Sequence, residues 1–247
     1  MLLHEHLENG ADKNPNFPFS EFEGNSLSYQ EANLLSNQLA NKLVYEGLEV
    51  GDRFAFLAKN CTEMAIMYYA ASKVGAVPVP LNYRLADQEW AYIINDSEAK
   101  LIIVKGNEYS DRINQISSEL KNVKKYISIS LDNSIEKFQD FYDWLSDSSN
   151  EKPTLKIHEN DDVYQMYTSG TTGHPKGAVL LQRNVAANIR QYLNSLTLPR
   201  PSRTLLVAPM YHAAAMINMC GCIAIGGTIV IQEDFIPQDV VDCLANE

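Results

Sequence analysis

Several features that would assign a chain to a large class at once are missing from these 247 residues. No apolar run approaches the roughly 18 residues that a membrane-spanning helix needs, so we expect no transmembrane segment. Basic residues are scarce, with 20 Lys and Arg against 31 Asp and Glu, and a formal net charge of −11 disfavours nucleic acid as a partner. Residues 1–8 lack the basic start and apolar stretch of a secretory signal, so we expect a cytoplasmic protein.

Cysteine is also scarce, and the spacing of the cysteines does not match a metal-binding motif. The four cysteines are Cys61, Cys220, Cys222 and Cys243, and no two of them form a C-x-x-C pair. The single-residue spacing of Cys220 and Cys222 in a predicted helix directs their thiols to different sides. We therefore expect buried structural thiols rather than a disulfide framework, and no metal site.

What the sequence does contain is a regular alternation of apolar segments. A hydrophobic content of 45% with 21% charged residues suits a globular protein with a sizeable core. Strands are predicted at 54–58, 76–80, 101–104, 125–130, 162–167, 204–208 and 228–231. Helices are predicted at 28–47, 61–74, 86–96, 110–121, 135–145, 184–196, 212–225 and from 237 onward.

Strands that alternate with helices of ten to fifteen residues indicate an α/β protein with largely parallel sheets and helices on both faces. Asn60 is expected to cap the helix at 61–74. The polar segment 146–159 is the best candidate for a boundary, so we expect a possible subdomain crossing near 146–160.

The most informative segment is residues 167–177, with the sequence YTSGTTGHPKG. Its glycines allow close backbone approach to an anion, its hydroxyls can donate to phosphate oxygens, and its lysine supplies a positive charge. The spacing does not fit a Walker A loop, and no G-x-G-x-x-G fingerprint occurs in the chain. From composition alone, a plain surface turn remains the alternative.

The whole eleven-residue string resembles the signature loop of the adenylate-forming superfamily, which includes acyl-CoA synthetases. That pattern is Tyr/Phe-Thr-Ser-Gly-Ser/Thr-Thr-Gly-x-Pro-Lys-Gly, and every fixed position matches. Residues 73–85 (KVGAVPVPLNYRL) and 209–213 (PMYHA) are similar to two further segments of acyl-CoA synthetases. The resemblance implies that residues 1–247 are a partial N-terminal, AMP-binding domain that is incomplete at its C-terminus.

The resemblance also implies a reaction and a set of site residues. The reaction is ATP-dependent activation of a small-molecule carboxylic acid with Mg²⁺, followed by transfer of the acyl group to coenzyme A. Lys176 and His212 are implied to be catalytic, and His212 to bind the acyl substrate. The residues implied to bind the ATP phosphates are Thr168, Ser169, Gly170, Thr171, Thr172, Gly173 and Lys176. Tyr211, Tyr83 and Arg84 are expected to be structural.

The chain departs from the family pattern in two respects. Leu181 and Gln182 stand where the family commonly has Thr/Ser-His, so a contact from that histidine is expected to be lost. The family's adenine-stacking motif, ribose-binding motif and C-terminal lysine do not occur, so we expect a fragment or natural truncation that binds ATP weakly and forms no adenylate alone. A non-catalytic nucleotide-binding protein, half of a split enzyme and a protein-interaction module remain alternatives.

Overall fold

The computed structural model describes residues 1–130, 135–168, 173–196 and 202–246. The helices are α1 Leu3–Lys13, α2 Tyr29–Tyr45, α3 Thr62–Val74, α4 Asp87–Asp96, α5 Asn107–Ile116, α6 Phe141–Leu145, α7 Gln182–Ser195, α8 Ala213–Ala224 and α9 Pro237–Asn246. The strands are β1 Pro18–Phe22, β2 Asn25–Ser28, β3 Arg53–Leu57, β4 Val77–Leu81, β5 Leu101–Lys105, β6 Lys125–Ile129, β7 Phe138–Asp140, β8 Asp162–Thr168, β9 Lys176–Leu181, β10 Arg203–Leu206 and β11 Thr228–Ile231.

The centre of the fold is a five-stranded, fully parallel sheet in the order β4-β3-β5-β6-β7. On β3, Phe54 pairs with Pro78 of β4 on one side and Leu101 of β5 on the other. Strands β3, β4 and β5 contain no exposed residue, as expected when both faces of a parallel sheet are covered. The predicted α/β class with mainly parallel sheets is therefore confirmed.

A second sheet joins distant parts of the chain, in the order β10-β11-β1-β2. Strand β1 pairs in parallel with β11, so that Ser20 lies opposite Ile229, while β2 pairs with β1 in antiparallel fashion. Neither β1 nor β2 was predicted from the sequence. The N-terminal region thereby completes a sheet whose other strands come from the last fifth of the chain.

Two predicted helices differ from the structure. The helix expected at 110–121 runs instead from Asn107 to Ile116 and is followed by a short 3-10 turn. The helix expected at 135–145 is wrong at its start, because residues 138–140 form an edge strand along β6. The Asp140 carboxylate then accepts hydrogen bonds from the amides of Tyr142 and Asp143, and so caps the short helix α6.

Segment 146–161 contains neither helix nor strand and links α6 to β8. Polar bonds hold it along α2: the Asn37 Nδ2 donates to the carbonyl of Asn150, and the Lys42 ammonium lies 2.6 Å from the Asp147 carboxylate. The subdomain crossing expected near 146–160 stays a prediction. Elsewhere, Trp90, Trp144, Cys61, Cys220 and Cys222 are buried, as expected of core residues. Cys243, which was also expected to be buried, is only partly buried. Among the described helices, none is long and apolar enough to cross a membrane.

Helix α1, which was not predicted, is attached to the rest of the fold by a buried polar cluster. The Ser72 hydroxyl lies 3.0 Å from the His4 Nδ1 and accepts a hydrogen bond of 2.8 Å from the Gln182 Nε2. The Gln182 Oε1 accepts from the backbone amide of Leu3. Gln182 thus joins α1, α3 and α7 in the interior.

The histidines of α1 should make stability depend on pH. Burial lowers the pKa of His6 to about 4, and the N-terminal amine adds to the effect. Below the ordinary histidine pKa of about 6.5, the unfolded chain then binds a proton that the folded chain does not, so stability is expected to fall between pH 6.5 and 4. Each unit of pKa difference corresponds to about 1.4 kcal/mol. Measured by urea unfolding, the free energy of unfolding of His6→Gln should fall less between pH 6.5 and 4 than that of the wild type. An equal fall in both proteins would contradict the prediction.

Candidate active site

The described ends of the signature loop belong to an antiparallel hairpin formed by β8 and β9. Strand β8 ends at Thr168 and β9 begins at Lys176, and these two residues lie opposite each other across the hairpin. Directly opposite residues present their side chains on the same face, so the side chains of Thr168 and Lys176 leave the hairpin on the same side. Gly173 has φ +101°, a conformation that favours glycine.

Four of the residues predicted to bind phosphate, Ser169, Gly170, Thr171 and Thr172, lie outside the described residues. Of the three that are described, Thr168 and Lys176 are exposed side chains and Gly173 is an exposed backbone position. Within the described part of the chain, the Lys176 ammonium makes no hydrogen bond or ion pair. The described donor set of a hydroxyl, an ammonium and an exposed glycine backbone is suited to an anion such as a phosphate.

The hairpin is anchored to the five-stranded sheet region by contacts that the sequence pattern did not reveal. The Tyr167 hydroxyl donates to the Asp96 carboxylate over 2.6 Å, and the Gln165 Nε2 donates to the Tyr167 hydroxyl. Burial raises the pKa of Tyr167, and the Asp96 carboxylate adds to that shift. The ring of His174, inside the loop, stacks on Tyr92 with centroids 4.9 Å apart. Helix α4 therefore supports both sides of the loop.

Gly177 is required by close packing within this hairpin rather than by contact with a ligand. A Cβ atom at position 177 would lie 2.4 Å from the Gln165 Nε2 and 2.9 Å from the ring of Tyr167. Gln165 in turn accepts a hydrogen bond from the Arg53 guanidinium in β3. The last glycine of the motif thus allows the hairpin to be joined to the first sheet.

His212 lies immediately before α8, at the N-cap position. Its backbone amide donates to the carbonyl of Pro209 over 2.9 Å, which closes a turn. The imidazole is exposed and makes no hydrogen bond to any described residue. The neighbouring Tyr211 is buried and packs edge-on against Tyr83, with centroids 5.6 Å apart, which agrees with the packing role expected from the sequence.

A cavity of about 410 Å³ brings the two predicted regions together. Thr168 at the end of β8 and His212 at the start of α8 both line it, although 44 positions separate them in sequence. Lys176 is not among the described lining residues. The other lining residues are Pro80, Asn82, Leu85, Glu89, Ile93, Tyr167, Pro175 and Tyr211.

The Tyr83 and Arg84 side chains belong to a separate polar network. The Arg84 guanidinium lies over the ring of Tyr83, and the Tyr83 hydroxyl donates to the Asp234 carboxylate over 2.7 Å. A hydrogen bond from Lys59 lowers the pKa of Asp234, while burial and Asp234 raise the pKa of Tyr83. These contacts link the loops after β4 and β11, which agrees with the structural role expected for Tyr83 and Arg84.

Metal ligands are not concentrated anywhere in the described ranges. No group of three or more His, Cys, Asp or Glu side chains there is arranged to hold a metal ion. A magnesium ion commonly binds through one or two carboxylates together with substrate phosphates, and does not require such a cluster. The described residues are therefore compatible with Mg²⁺ that arrives with a nucleotide.

Comparison with known proteins gives a consistent result. The family model for AMP-binding enzymes matches residues 7–247. A long-chain-fatty-acid–CoA ligase, FadD13, from Mycobacterium tuberculosis is 31% identical over 211 residues, which cover 85% of this chain and 40% of the ligase. A feruloyl-CoA synthase from an Amycolatopsis species is 30% identical over 225 residues, covering 91% of this chain and 42% of the synthase. The chain thus spans about two fifths of the length of these relatives.

Solved structures show the same fold. An inhibitor-bound N-terminal domain of FACL13 from Mycobacterium tuberculosis superposes with a TM-score of 0.89 at 27% identity, over 99% of this chain and 60% of that one. An anthranilate CoA ligase in complex with anthranoyl-AMP reaches a TM-score of 0.93 at 21% identity, over 100% of this chain and 48% of that one, which shows the fold alone. With the family model matching nearly all of its residues, the chain belongs to the family of AMP-binding enzymes.

Proposed function

We propose that this chain contributes the ATP-phosphate site and part of the acyl site to an enzyme that activates carboxylic acids. The carboxylate would attack the α-phosphorus of ATP, giving an acyl-adenylate and pyrophosphate. The thiol of coenzyme A would then take the acyl group, releasing AMP and a proton and leaving a thioester. The observation that carries the proposal is that Thr168 and His212 line one cavity.

The signature loop is proposed to hold the β- and γ-phosphates, which become the leaving pyrophosphate. The protein carries a formal net charge of −11, so attraction of ATP must come from local donors rather than from the overall field. Lys176 has no partner among the described residues and can offer its full charge to a phosphate oxygen. Thr168, Gly173 and residues 169–172 would add hydroxyl and backbone donors.

His212 is proposed to bind the carboxylate that reacts. Its exposed ring lies at the start of α8, where the unpaired amides of a first helical turn favour negative charge. A protonated or N–H-donating imidazole there can orient a carboxylate toward the nucleotide, and this would lower the cost of bringing two anions together. Mg²⁺, when bound with ATP, would neutralise part of the phosphate charge.

Other properties follow from the proposed function or stay predictions. ATP, coenzyme A and a small carboxylic acid would be the ligands, and the remaining part of the enzyme, on the same or another polypeptide, would be the protein partner. The family relatives include enzymes named for fatty acids and for ferulate, so the proposal extends to the class of carboxylic acids and not to one member. The cytoplasmic location expected from the sequence stays a prediction.

Calorimetric titration with MgATP tests the phosphate site. Lys176→Ala is expected to raise the dissociation constant about tenfold to one-hundredfold, because a hydrogen bond to a charged group contributes about 1.5–3 kcal/mol. Lys176→Arg should lose less affinity for MgATP, since it keeps the positive charge. The control is Lys121→Ala, an exposed lysine between α5 and β6, which should bind ATP like the wild type. Equal dissociation constants for Lys176→Ala and wild type would overturn the assignment of Lys176.

Isotope exchange between pyrophosphate and ATP tests the reaction. We expect a polypeptide that contains this chain and the remaining family motifs to exchange pyrophosphate only when a carboxylic acid is present. His212→Ala should reduce that exchange while leaving the dissociation constant of MgATP nearly unchanged. ATP binding without any exchange in such a polypeptide would favour the alternative of a non-catalytic nucleotide-binding protein.

A further inference from the structure

Asn60 lies in the loop between β3 and α3 and has a different role from the one its sequence position indicates. The sequence predicts that Asn60 caps α3, but the N-cap residue is Cys61, and it makes no side-chain capping bond. The Asn60 side chain instead faces the second sheet. The residue is only 2% exposed, so its polar groups must find partners inside the protein.

Three backbone groups of the second sheet region bind the Asn60 amide. Its Nδ2 donates to the carbonyls of Ala208 and Gln232, each over 3.1 Å, and its Oδ1 accepts from the amide of Met210 over 2.7 Å. Ala208 and Met210 follow β10, and Gln232 follows β11. A single side chain therefore joins the carboxyl end of β3 to the carboxyl ends of two strands in the other sheet.

The segment that Asn60 binds leads directly to His212. The carbonyl of Met210 accepts a hydrogen bond of 3.1 Å from the Tyr68 hydroxyl on α3, so Met210 is held on its N–H side and on its C=O side. The carbonyl of Pro209 accepts a hydrogen bond from the backbone amide of His212. The imidazole of His212 has no hydrogen-bond partner among the described residues, so its place depends on its backbone and on packing against the ring of Tyr211, whose centroid is 4.7 Å away.

The chemistry of this position requires a carboxamide. Asn60 uses both amide protons and its oxygen at once, which matches one N–H and two C=O groups. An aspartate would place a carboxylate oxygen against two carbonyls, and an alanine would remove all three hydrogen bonds, including the buried one from the Met210 amide. Thr and Ser each have a single hydroxyl donor and cannot donate to both carbonyls at once.

We propose that Asn60 is a positioning residue that places His212 at the cavity wall through the backbone of residues 208–212. The inference rests on the proposed function for the role of His212, but the placement itself can be measured without any reaction. Tyr68 supports the same segment from α3. Neither side chain is proposed to touch the substrate.

The test is NMR spectroscopy and amide hydrogen exchange on the 247-residue chain with Asn60→Ala, Tyr68→Phe and Asn37→Ala. Asn37 is the matched control, because it is also buried and its Nδ2 also donates to a loop carbonyl, that of Asn150. The His212 ring signals are assigned by their loss in His212→Gln. Urea unfolding of each variant records the general loss of stability.

Asn60→Ala is expected to move the His212 ring signals and to lower the exchange protection of the Met210 amide about tenfold, the equivalent of one lost hydrogen bond. Tyr68→Phe should move the same signals by less. Asn37→Ala should leave them at their wild-type positions even if it destabilises the chain equally. In the exchange-competent polypeptide, Asn60→Ala should raise the KM for the carboxylic acid and leave that for ATP nearly unchanged.

Unchanged His212 signals in Asn60→Ala, or equal movement in Asn37→Ala, would overturn the placement role. Those results would not affect the proposed function, which is tested by ATP titration of Lys176→Ala. Conversely, failure of Lys176→Ala to weaken ATP binding would leave the placement of His212 by Asn60 intact. If Asn60→Ala does not fold, Tyr68→Phe carries the same test, and unmoved His212 signals in that variant would count against the proposal.

Discussion

Lys73→Met is expected to lower the free energy of unfolding by about 3–5 kcal/mol, the usual cost of removing one partner of a buried ion pair. The Lys73 side chain is 2% exposed, and its ammonium lies 3.0 Å from Glu8 and 2.8 Å from the Asn33 Oδ1. Burial lowers the pKa of Lys73, and the Glu8 carboxylate opposes that shift. Methionine would fill the space but leave Glu8 with only the exposed Lys152 as a partner.

The matched control for this prediction is Lys100→Met. Lys100 pairs with Asp52 at 2.5 Å but is 39% exposed, and exposed pairs typically contribute about 0–1 kcal/mol. Urea unfolding should therefore separate the two variants by at least 2 kcal/mol, roughly the difference between those two ranges. The double variant Lys73→Met with Glu8→Gln should recover part of the loss, because it removes the unpaired carboxylate. Equal losses at positions 73 and 100 would show that burial of the pair has no large effect.

The fold class could be predicted because each main strand of the central sheet has a recognisable local sequence pattern. Strands β3, β4 and β5 are apolar except for Arg53 and Lys105 at their ends, and helical segments separate them in the sequence, which is typical of a parallel sheet covered on both faces. Strands β1 and β2 could not be predicted in the same way. Their residues are a mixture of polar and apolar types, and β1 becomes a strand because it pairs with β11 at the other end of the chain.

Only those parts of the candidate site that belong to a short sequence motif could be predicted. The loop at 167–177 and His212 were found from local patterns, and the cavity that Thr168 and His212 share is consistent with that reading. The supports of these residues were missed, because they come from distant elements. Tyr92 and Asp96 hold the loop from α4, and Asn60 was interpreted as a helix cap because sequence proximity to α3 gave no sign of the second sheet.

Trp90→Ala should lower the free energy of unfolding by a similar amount, at a residue that adjoins the lining of the cavity without being part of it. Trp90 is fully buried in α4, and its indole N–H donates to the carbonyl of Asn82 over 2.9 Å. The Arg112 guanidinium lies 4.0 Å from the centre of its ring, and Tyr109 packs against it edge-on. Replacing a buried tryptophan with alanine typically costs about 3–5 kcal/mol, because a large cavity remains. Heat or urea unfolding of the variant gives the value directly.

Two companion variants identify the source of that loss. Trp90→Phe keeps a ring for Arg112 and Tyr109 but removes the indole donor to the Asn82 carbonyl, which still accepts from the Leu85 amide. The variant should therefore lose about 1–2 kcal/mol, the cost of one hydrogen bond and of a smaller ring. Tyr45→Ala removes an aromatic ring that is 78% exposed and should change stability by no more than about 0.5 kcal/mol. Because Asn82, Glu89 and Ile93 flank Trp90 and line the cavity, Trp90→Ala should also disturb the His212 ring signals, whereas Tyr45→Ala should not. A loss in Trp90→Ala no larger than that in Tyr45→Ala would contradict the assignment of Trp90 as the support of the cavity lining.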